Sequence, residues 1–286
     1  MRFFLIVNLD KDNAEVCSKQ VLEKLLSLGG EVSMAAEDCE LARGFPAVTL
    51  GVTEALVPSS DLVISIGGDG TLIHAAKYAV PFDKPVLGIN TGRLGFLTRM
   101  EQNELDCLER LFSGNYNVEN RMMLELCYDK TNGETACYTA LNDVVLSRGS
   151  LSRIIDLTID CDGKPVSQYR ADGLIFSTPT GSTAYSLSAG GPVVEPSVEC
   201  IVMSPICPHS LFARTVVFAA DRIVTVKTSF ERSNKAYITI DGVEGFPIQP
   251  GDTVSIRKSG RYARLISFDQ SFFEILSKKF IDHSNT

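Results

Sequence analysis

The sequence has no apolar run approaching the ~20 residues that a membrane-spanning helix needs. Its opening, MRFFLIVNLDKDN, sets a single arginine before a short apolar run. It lacks the longer apolar core and the cleavage site of a secretion signal, and reads as a first buried strand. No dense Lys/Arg tract appears, and 35 acidic residues outnumber 27 basic ones. That balance argues against a general nucleic-acid binder, which needs a basic footprint. It leaves room for a single nucleotide, for which a few cations and backbone N–H groups suffice. The three histidines, His74, His209 and His283, are scattered and pair with no cysteine at metal-ligand spacing, so no zinc site is expected. The eight cysteines form no C-x-x-C, and most lie in apolar segments. They read as reduced, buried thiols of a cytoplasmic protein. Internal repeats, low-complexity tracts and long linkers are also missing.

What is present is enough apolar residue, 44% of 286, to bury one large core or two ordinary ones. Strand and helix patterns alternate over residues 1–120. FFLIV, LVISI and VLGI read as buried strands. Helices are expected at Ala14–Leu28, Thr71–Val80 and Glu101–Phe112. Repeated strand–helix units imply an α/β domain with a mainly parallel sheet. From Arg121 the texture changes to short β-rich runs and turns, with a hairpin turn expected at Cys161–Lys164, so residues 121–261 read as an all-β domain. The closing ARLISFDQSFFEILSKKF reads as a strand and a helix.

LVISI runs straight into GGDGT. Gly67, Gly68 and Gly70 let a backbone approach a phosphate chain where a strand meets a helix N-terminus. A carboxylate at Asp69 would repel the same anions. The ordinary reading is a tight turn with Asp69 capping its own helix. The P-loop pattern and the G-x-G-x-x-G fingerprint are both absent. If the loop holds phosphate, Asp69 either binds Mg²⁺ or takes a proton from an attacking hydroxyl. Either describes a kinase acting on an alcohol.

Two further strings carry polar groups. Tyr169–Pro192, YRADGLIFSTPTGSTAYSLSAGGP, is dense in glycine and hydroxyls; its ordinary reading is a surface loop, and its functional one a polar ligand wall. It contains no G-x-S-x-G of a serine hydrolase. LNDVVLSR sets Asn142 and Asp143 between apolar residues, either as a solvent-facing strand end or as a pair that reads hydroxyls.

In this order, GGDGT, NTGRLGF, the Asn-Asp pair, DGLIFSTPTGSTAYSLSAGGP, SPICPHSL and YITIDG make the chain resemble the NAD kinase family. The resemblance is carried mainly by residues 67–242. It implies an α/β domain of residues 1–120, rejoined by residues 262–286, and a β-rich NAD-binding domain of residues 121–261. It also implies transfer of the terminal phosphate of ATP or polyphosphate to the 2′-hydroxyl of the adenosine ribose of NAD, with Mg²⁺ or another divalent cation. Asp69 would deprotonate that hydroxyl, and Gly67, Gly68, Gly70 and Thr71 would meet the donor phosphates. Asn142 and Asp143 would hold NAD hydroxyls; the family more often has Glu at the second place. Asp172 would lie near the nicotinamide. Thr183, Ala184, Tyr185 and Ser188 would face the adenosine, and Phe96 the adenine. Arg170 would serve the phosphate chain or subunit contacts, and Asp241 with Gly242 would form the turn that closes over the site. After SPICPHSL the family often has Arg-Pro, where this chain keeps Arg214 but has Thr215. The implied assembly is a homodimer or homotetramer, in the cytoplasm, with no membrane or nucleic-acid partner. A non-catalytic NAD(H) sensor, or a lipid or sugar kinase sharing GGDGT, are the alternatives.

Overall fold

Residues 1–120 alternate strand and helix in the order β1 (Arg2–Val7), α1 (Ala14–Ser27), β2 (Glu31–Ala35), β3 (Thr49–Gly51), α2 (Thr53–Leu56), β4 (Leu62–Gly67), α3 (Asp69–Ala79), β5 (Val86–Asn90), β6 (Met100–Glu101) and α4 (Glu109–Ser113). The structure, a computed structural model, describes residues 1–92, 95–129, 133–149, 153–210, 212–230 and 235–282. It divides into two units, Met1–Asn120 with Tyr262–Thr286, and Arg121–Arg261.

In the first unit the strands lie in the order β3-β2-β1-β4-β5, with every neighbouring pair parallel. All six residues of β4 are buried, as a continuous apolar run with both sheet faces covered requires. Val21, Leu22 and Leu25 of α1 join Phe3, Leu5, Ile64 and Leu87 in one core. α1 is capped by Leu28, and Gly29 follows in the left-handed region at φ 78°. The helix expected over Glu101–Phe112 is instead a 3₁₀ turn, Gln102–Leu108, followed by α4. Glu101 and Glu104 cap each other's backbone there, and Glu104 leaves helical geometry (φ −109°, ψ 20°), which interrupts the helix.

The second unit is built mainly of antiparallel strand pairs. Its elements are β7 (Asn117–Asp129, entering from the first unit), β8 (Thr135–Ala140), β9 (Asp143–Arg148), β10 (Ile155–Cys161), β11 (Lys164–Ala171), β12 (Gly173–Ser177), α5 (Tyr185–Ser188), β13 (Cys200–Ile206), β14 (Val216–Ala219), β15 (Val224–Ser229), β16 (Ala236–Ile240), β17 (Val243–Ile248) and β18 (Thr253–Ser267). One sheet runs β14-β13-β12-β9-β16-β17; β10 pairs with both β11 and β15, and β15 with the first part of β18. Asp162 (φ 50°) and Gly163 (φ 74°) make the two-residue turn joining β10 to β11.

The end of β18 returns to the first unit, where Leu265 lies beside Val86 of β5 in parallel register and Ile266 enters the core. α6 (Phe272–Asp282) follows. The α/β first unit, the β-rich second unit and the returning tail match the fold expected from the sequence. No helix among the described residues is long and apolar enough to cross a membrane.

The cysteines correct one expectation. Cys127 and Cys137 stand directly opposite on β7 and β8, with Cα atoms 4.2 Å apart, and form a disulfide. Neighbouring antiparallel strands bring opposed residues to this separation, so the pair needs no C-x-x-C spacing. Of the others only Cys17 and Cys200 are fully buried, and Cys39 and Cys207 are exposed.

Candidate active site

The candidate residues form one group in each unit. In the first, β4 ends at Gly67 and α3 begins at Asp69, two residues before the expected helix start. Asp69 does not cap this helix. Its carboxylate instead accepts the backbone N–H groups of Phe96 (2.8 Å, at Oδ2), Leu97 (3.1 Å, at Oδ1) and Thr98 (2.9 Å, at Oδ1), and the Thr98 hydroxyl (2.9 Å, at Oδ1). GGDGT and the GFLT end of the next glycine-rich loop are therefore tied together by one side chain. Arg93 and Leu94 of that loop lie outside the described residues. Gly95 has to be glycine at this point, since a Cβ there would stand 1.9 Å from Asp69 Oδ1. Gly68 and Gly70 face open space, leaving room for a ligand against the first turn of α3. Thr71 is buried, and its hydroxyl has no partner.

An open hollow of about 430 Å³ lies beside this turn at the carboxyl end of β1, with Asn8, Asp10, Asp38, Thr71, His74 and Tyr78 in its wall. Burial, and then Lys77, hold the His74 imidazole below its usual range; burial, and then Glu37, raise the Asp38 carboxyl. The ring of Phe96 is flanked by Phe272 at 6.5 Å, and the ammonium of Lys279 lies 4.6 Å from its centroid.

In the second unit Asn142 and Asp143 enter β9 at a turn held from two sides. The Asp241 carboxylate accepts the N–H groups of Leu141 (2.9 Å), Asn142 (2.7 Å) and Asp143 (3.1 Å). Opposite, the Thr178 hydroxyl donates to Leu141 O at 2.6 Å and its N–H to Asn142 O at 2.9 Å. A Cβ on Gly181 would meet Asn142 O at 2.0 Å, so glycine permits this approach. Asn142 Oδ1 is buried without a partner. Asp143 is buried rather than solvent-facing, and its carboxyl is pushed up to about 7 by burial first and then by the Asp241 carboxylate.

The TPTGSTAYS string is not a surface loop. Thr178, Thr180, Ser182 and Ser186 are buried, and buried Arg121 donates to the Thr180 hydroxyl at 3.3 Å. The segment folds as a 3₁₀ turn, Thr180–Thr183, and then α5, which leave Tyr185 and Ser188 exposed and Thr183 and Ala184 half-buried.

Two expected residues stand apart from this turn. Asp172 precedes β12, at the end opposite Asn142 and Asp143, because Gly173 pairs with Ser147 while Ser177 pairs with Asp143. Its carboxylate is held by Arg148, Nε to Oδ1 at 2.5 Å and Nη2 to Oδ2 at 3.3 Å. Arg170 is exposed on β11, 3.5 Å from Asp156. Gly95, Thr98, Arg121, Arg148 and Thr178 were not picked out from the sequence. Gly95, Arg148 and Thr178 lie within the strings quoted from the sequence and Thr98 two residues beyond one, so their signal is adjacency to the chosen residues. Among the described residues no three His, Cys, Asp or Glu side chains gather in a cluster that could hold a metal ion.

Residues 3–116 match the family model of the ATP-NAD kinase N-terminal domain, and residues 141–268 that of the ATP-NAD kinase C-terminal domain. The chain is 40% identical to an NAD kinase of Symbiobacterium thermophilum over 286 aligned residues, covering 97% of this chain and 98% of the relative. It is 40% identical to an NAD kinase of Caldanaerobacter subterraneus subsp. tengcongensis, covering 96% and 97%. Among solved structures it resembles a yeast NADH kinase complexed with NADH, with a TM-score of 0.88 and 25% identity over 95% of this chain and 84% of that one. It also resembles an Archaeoglobus fulgidus NAD kinase in complex with ATP, with a TM-score of 0.76 and 27% identity over 97% and 98%.

Proposed function

Because the chain belongs to the ATP-NAD kinase family, we propose that it is an NAD kinase, moving the terminal phosphate of ATP or polyphosphate to the 2′-hydroxyl of the adenosine ribose of NAD. The observation that carries this reading is Asp69. It is fixed by four donors at the start of α3, beside glycines that leave open space.

In this reading the donor's phosphates lie against the N–H groups of Gly68 and Gly70, with the Thr71 hydroxyl beside them, where a helix N-terminus favours anions. The adjacent hollow takes the nucleoside of ATP, whose hydroxyl and amino donors suit a wall containing Asp10 and Asp38. Oδ1 of Asp69 anchors the loop. Oδ2 carries one hydrogen bond and keeps a lone pair for the proton of the 2′-hydroxyl. As that proton passes to Asp69, the 2′-oxygen bonds to the terminal phosphorus and the bond to the leaving phosphate oxygen breaks. Most of the rate comes from positioning and from neutralising charge.

Magnesium would be carried on the nucleotide's own phosphates and would need only one or two protein oxygens; with Asp69 committed to the 2′-hydroxyl, the unpartnered Thr71 hydroxyl would offer one. When bound, it neutralises phosphate charge. Asn142 and Asp143 receive hydroxyls of NAD, Phe96 the adenine, and Thr183, Ala184, Tyr185 and Ser188 the adenosine. Asp172 serves the nicotinamide end, and Arg170 the phosphate chain or a subunit contact. The expected setting is the cytoplasm and the expected assembly a homodimer or homotetramer.

The test is NADP formation from NAD, Mg²⁺ and purified protein, read with an NADP-specific dehydrogenase, with ATP in one tube and polyphosphate in another. Product is expected with ATP. No product in either tube, with NAD still bound, would replace this reading with a non-catalytic sensor.

A further inference from the structure

Three consecutive N–H groups, of Leu141, Asn142 and Asp143, converge on one carboxylate. Asp241 Oδ2 takes the first, and Oδ1 the second and third. A run of successive backbone N–H groups makes a concavity for anions, and here a side chain of the same chain fills it. The contact is reciprocal, since the N–H of Asp241 donates to Asp143 O at 2.9 Å. Asp241 sits at the β16–β17 turn with φ 52°, in the left-handed region. Residues there persist where their surroundings hold them.

The far side of the turn is also held. Gly181 N donates to the Thr178 hydroxyl at 3.0 Å, and that hydroxyl donates to Leu141 O. The backbone of residues 141–143 is thus clamped between Asp241 and Thr178. Asn142 Oδ1, buried and without a partner, is left as an acceptor.

We propose that Asp241 is a positioning residue: its carboxylate is committed to the backbone of Leu141–Asp143, and it acts on substrate by aiming the Asn142 amide and the Asp143 carboxyl. This differs from a direct NAD contact, and it rests on the reading that Asn142 and Asp143 receive NAD. The chemistry predicts graded substitutions. Asp241→Ala removes all three acceptor contacts. Asp241→Asn can keep Oδ1 on Asn142 and Asp143, but turns an amide donor toward the N–H of Leu141. A misaimed binding pair costs affinity and orientation, and displacements on the order of 1 Å are worth up to ~10²-fold.

The test compares wild type, Asp241→Ala and Asp241→Asn by two readouts. Without ligand, amide hydrogen exchange at Leu141, Asn142 and Asp143 should speed up ~10-fold or more in Asp241→Ala, while β12 and β13 stay protected. With substrate, KM for NAD should rise ~10-fold or more, with kcat changed by less than ~3-fold, and Asp241→Asn should lie between the two. Unchanged exchange overturns the proposal. So does a KM within ~2-fold of wild type in Asp241→Ala, or an Asn variant as impaired as Ala, which would mark a charge contact with substrate. If Asp241→Ala does not fold, Asp241→Asn decides through Leu141 alone, whose exchange must quicken. A wild type that neither binds nor phosphorylates NAD would fail the functional reading, while the exchange readout still decides whether Asp241 positions the turn.

Discussion

Thr98 gives Asp69 both its N–H and its hydroxyl, each at 2.9 Å and each to the same oxygen, Oδ1. With the N–H of Leu97 added, Oδ1 is fully occupied, while Oδ2 takes a single bond from Phe96. The two oxygens of one carboxylate have different tasks. Asp69→Asn keeps the size and removes the base. Turnover should fall ~10²–10⁴-fold while calorimetry still detects NAD binding. Near-wild-type turnover would defeat the general-base role.

Gly95→Ala tests the anchoring half of that carboxylate. The new Cβ would lie 1.9 Å from Asp69 Oδ1 and 2.4 Å from the Thr98 hydroxyl, so the carboxylate must move. Overpacking of this kind costs about 1–3 kcal/mol, and the displaced base should cost turnover as well. Thermal unfolding and kcat on one preparation measure both; wild-type values for each would show that the loop has slack.

Asp143 makes stability depend on pH. Its carboxyl stands at about 7 in the folded protein, raised by burial and then by Asp241. In an unfolded chain it returns to about 3.9. The folded state therefore holds the proton more tightly. The stabilisation is complete below about pH 4, is lost as the pH rises through about 7, and stays absent above that. Asp143→Asn should flatten this part of the profile. Unfolding midpoints across the window check it, and an unchanged slope would assign the dependence to another group.

Arg148 and Asp172 form a two-point ion pair, with side chains 30% and 29% exposed. Solvent screens such a pair, so a double-mutant cycle of Arg148→Ala and Asp172→Ala should return a coupling of only ~0.5–1 kcal/mol. Denaturant unfolding of the four proteins measures it. A coupling of several kcal/mol would mean the pair is insulated from water.

The Cys127–Cys137 bond closes a short loop of sequence separation 10. Chain-entropy reasoning gives such a loop about 2–3 kcal/mol. Reductant should lower the unfolding midpoint of the wild type and leave Cys137→Ser unaffected. Equal responses in the two proteins would show that the bond contributes nothing.

The parts legible in the sequence were those set by local pattern. LVISI reads as a buried strand from its continuous apolar run, and Asp162-Gly163 as a hairpin turn from its dipeptide. GGDGT announced a strand–helix junction with an anomalous carboxylate. What that carboxylate holds was not legible, because Phe96–Thr98 arrive from another loop, about thirty residues along the chain, and their N–H groups carry no side-chain signature. The same applies to Asp241, which meets its three amides across ~100 residues of sequence, where spacing gives no guide. The disulfide was missed because cross-strand opposition depends on hairpin register rather than on any short motif. The Glu101 segment misled because its apolar spacing suits a helix while its own glutamates cap the backbone early.

The tail has a consequence for the order of synthesis. Val86 of β5 gains a partner in Leu265, Ile266 belongs to the first unit's core, and Asp269 pairs with Arg110. A ribosome releasing this chain has emitted all of residues 121–261 before those partners exist. The second unit is continuous and can close as it emerges, since domains generally fold as units during translation. The first unit, though begun earlier, must wait for the partner of Val86 on β5 until the final segment is released, since β6 covers only Ile89 and Asn90. The half of the molecule that starts first therefore finishes last.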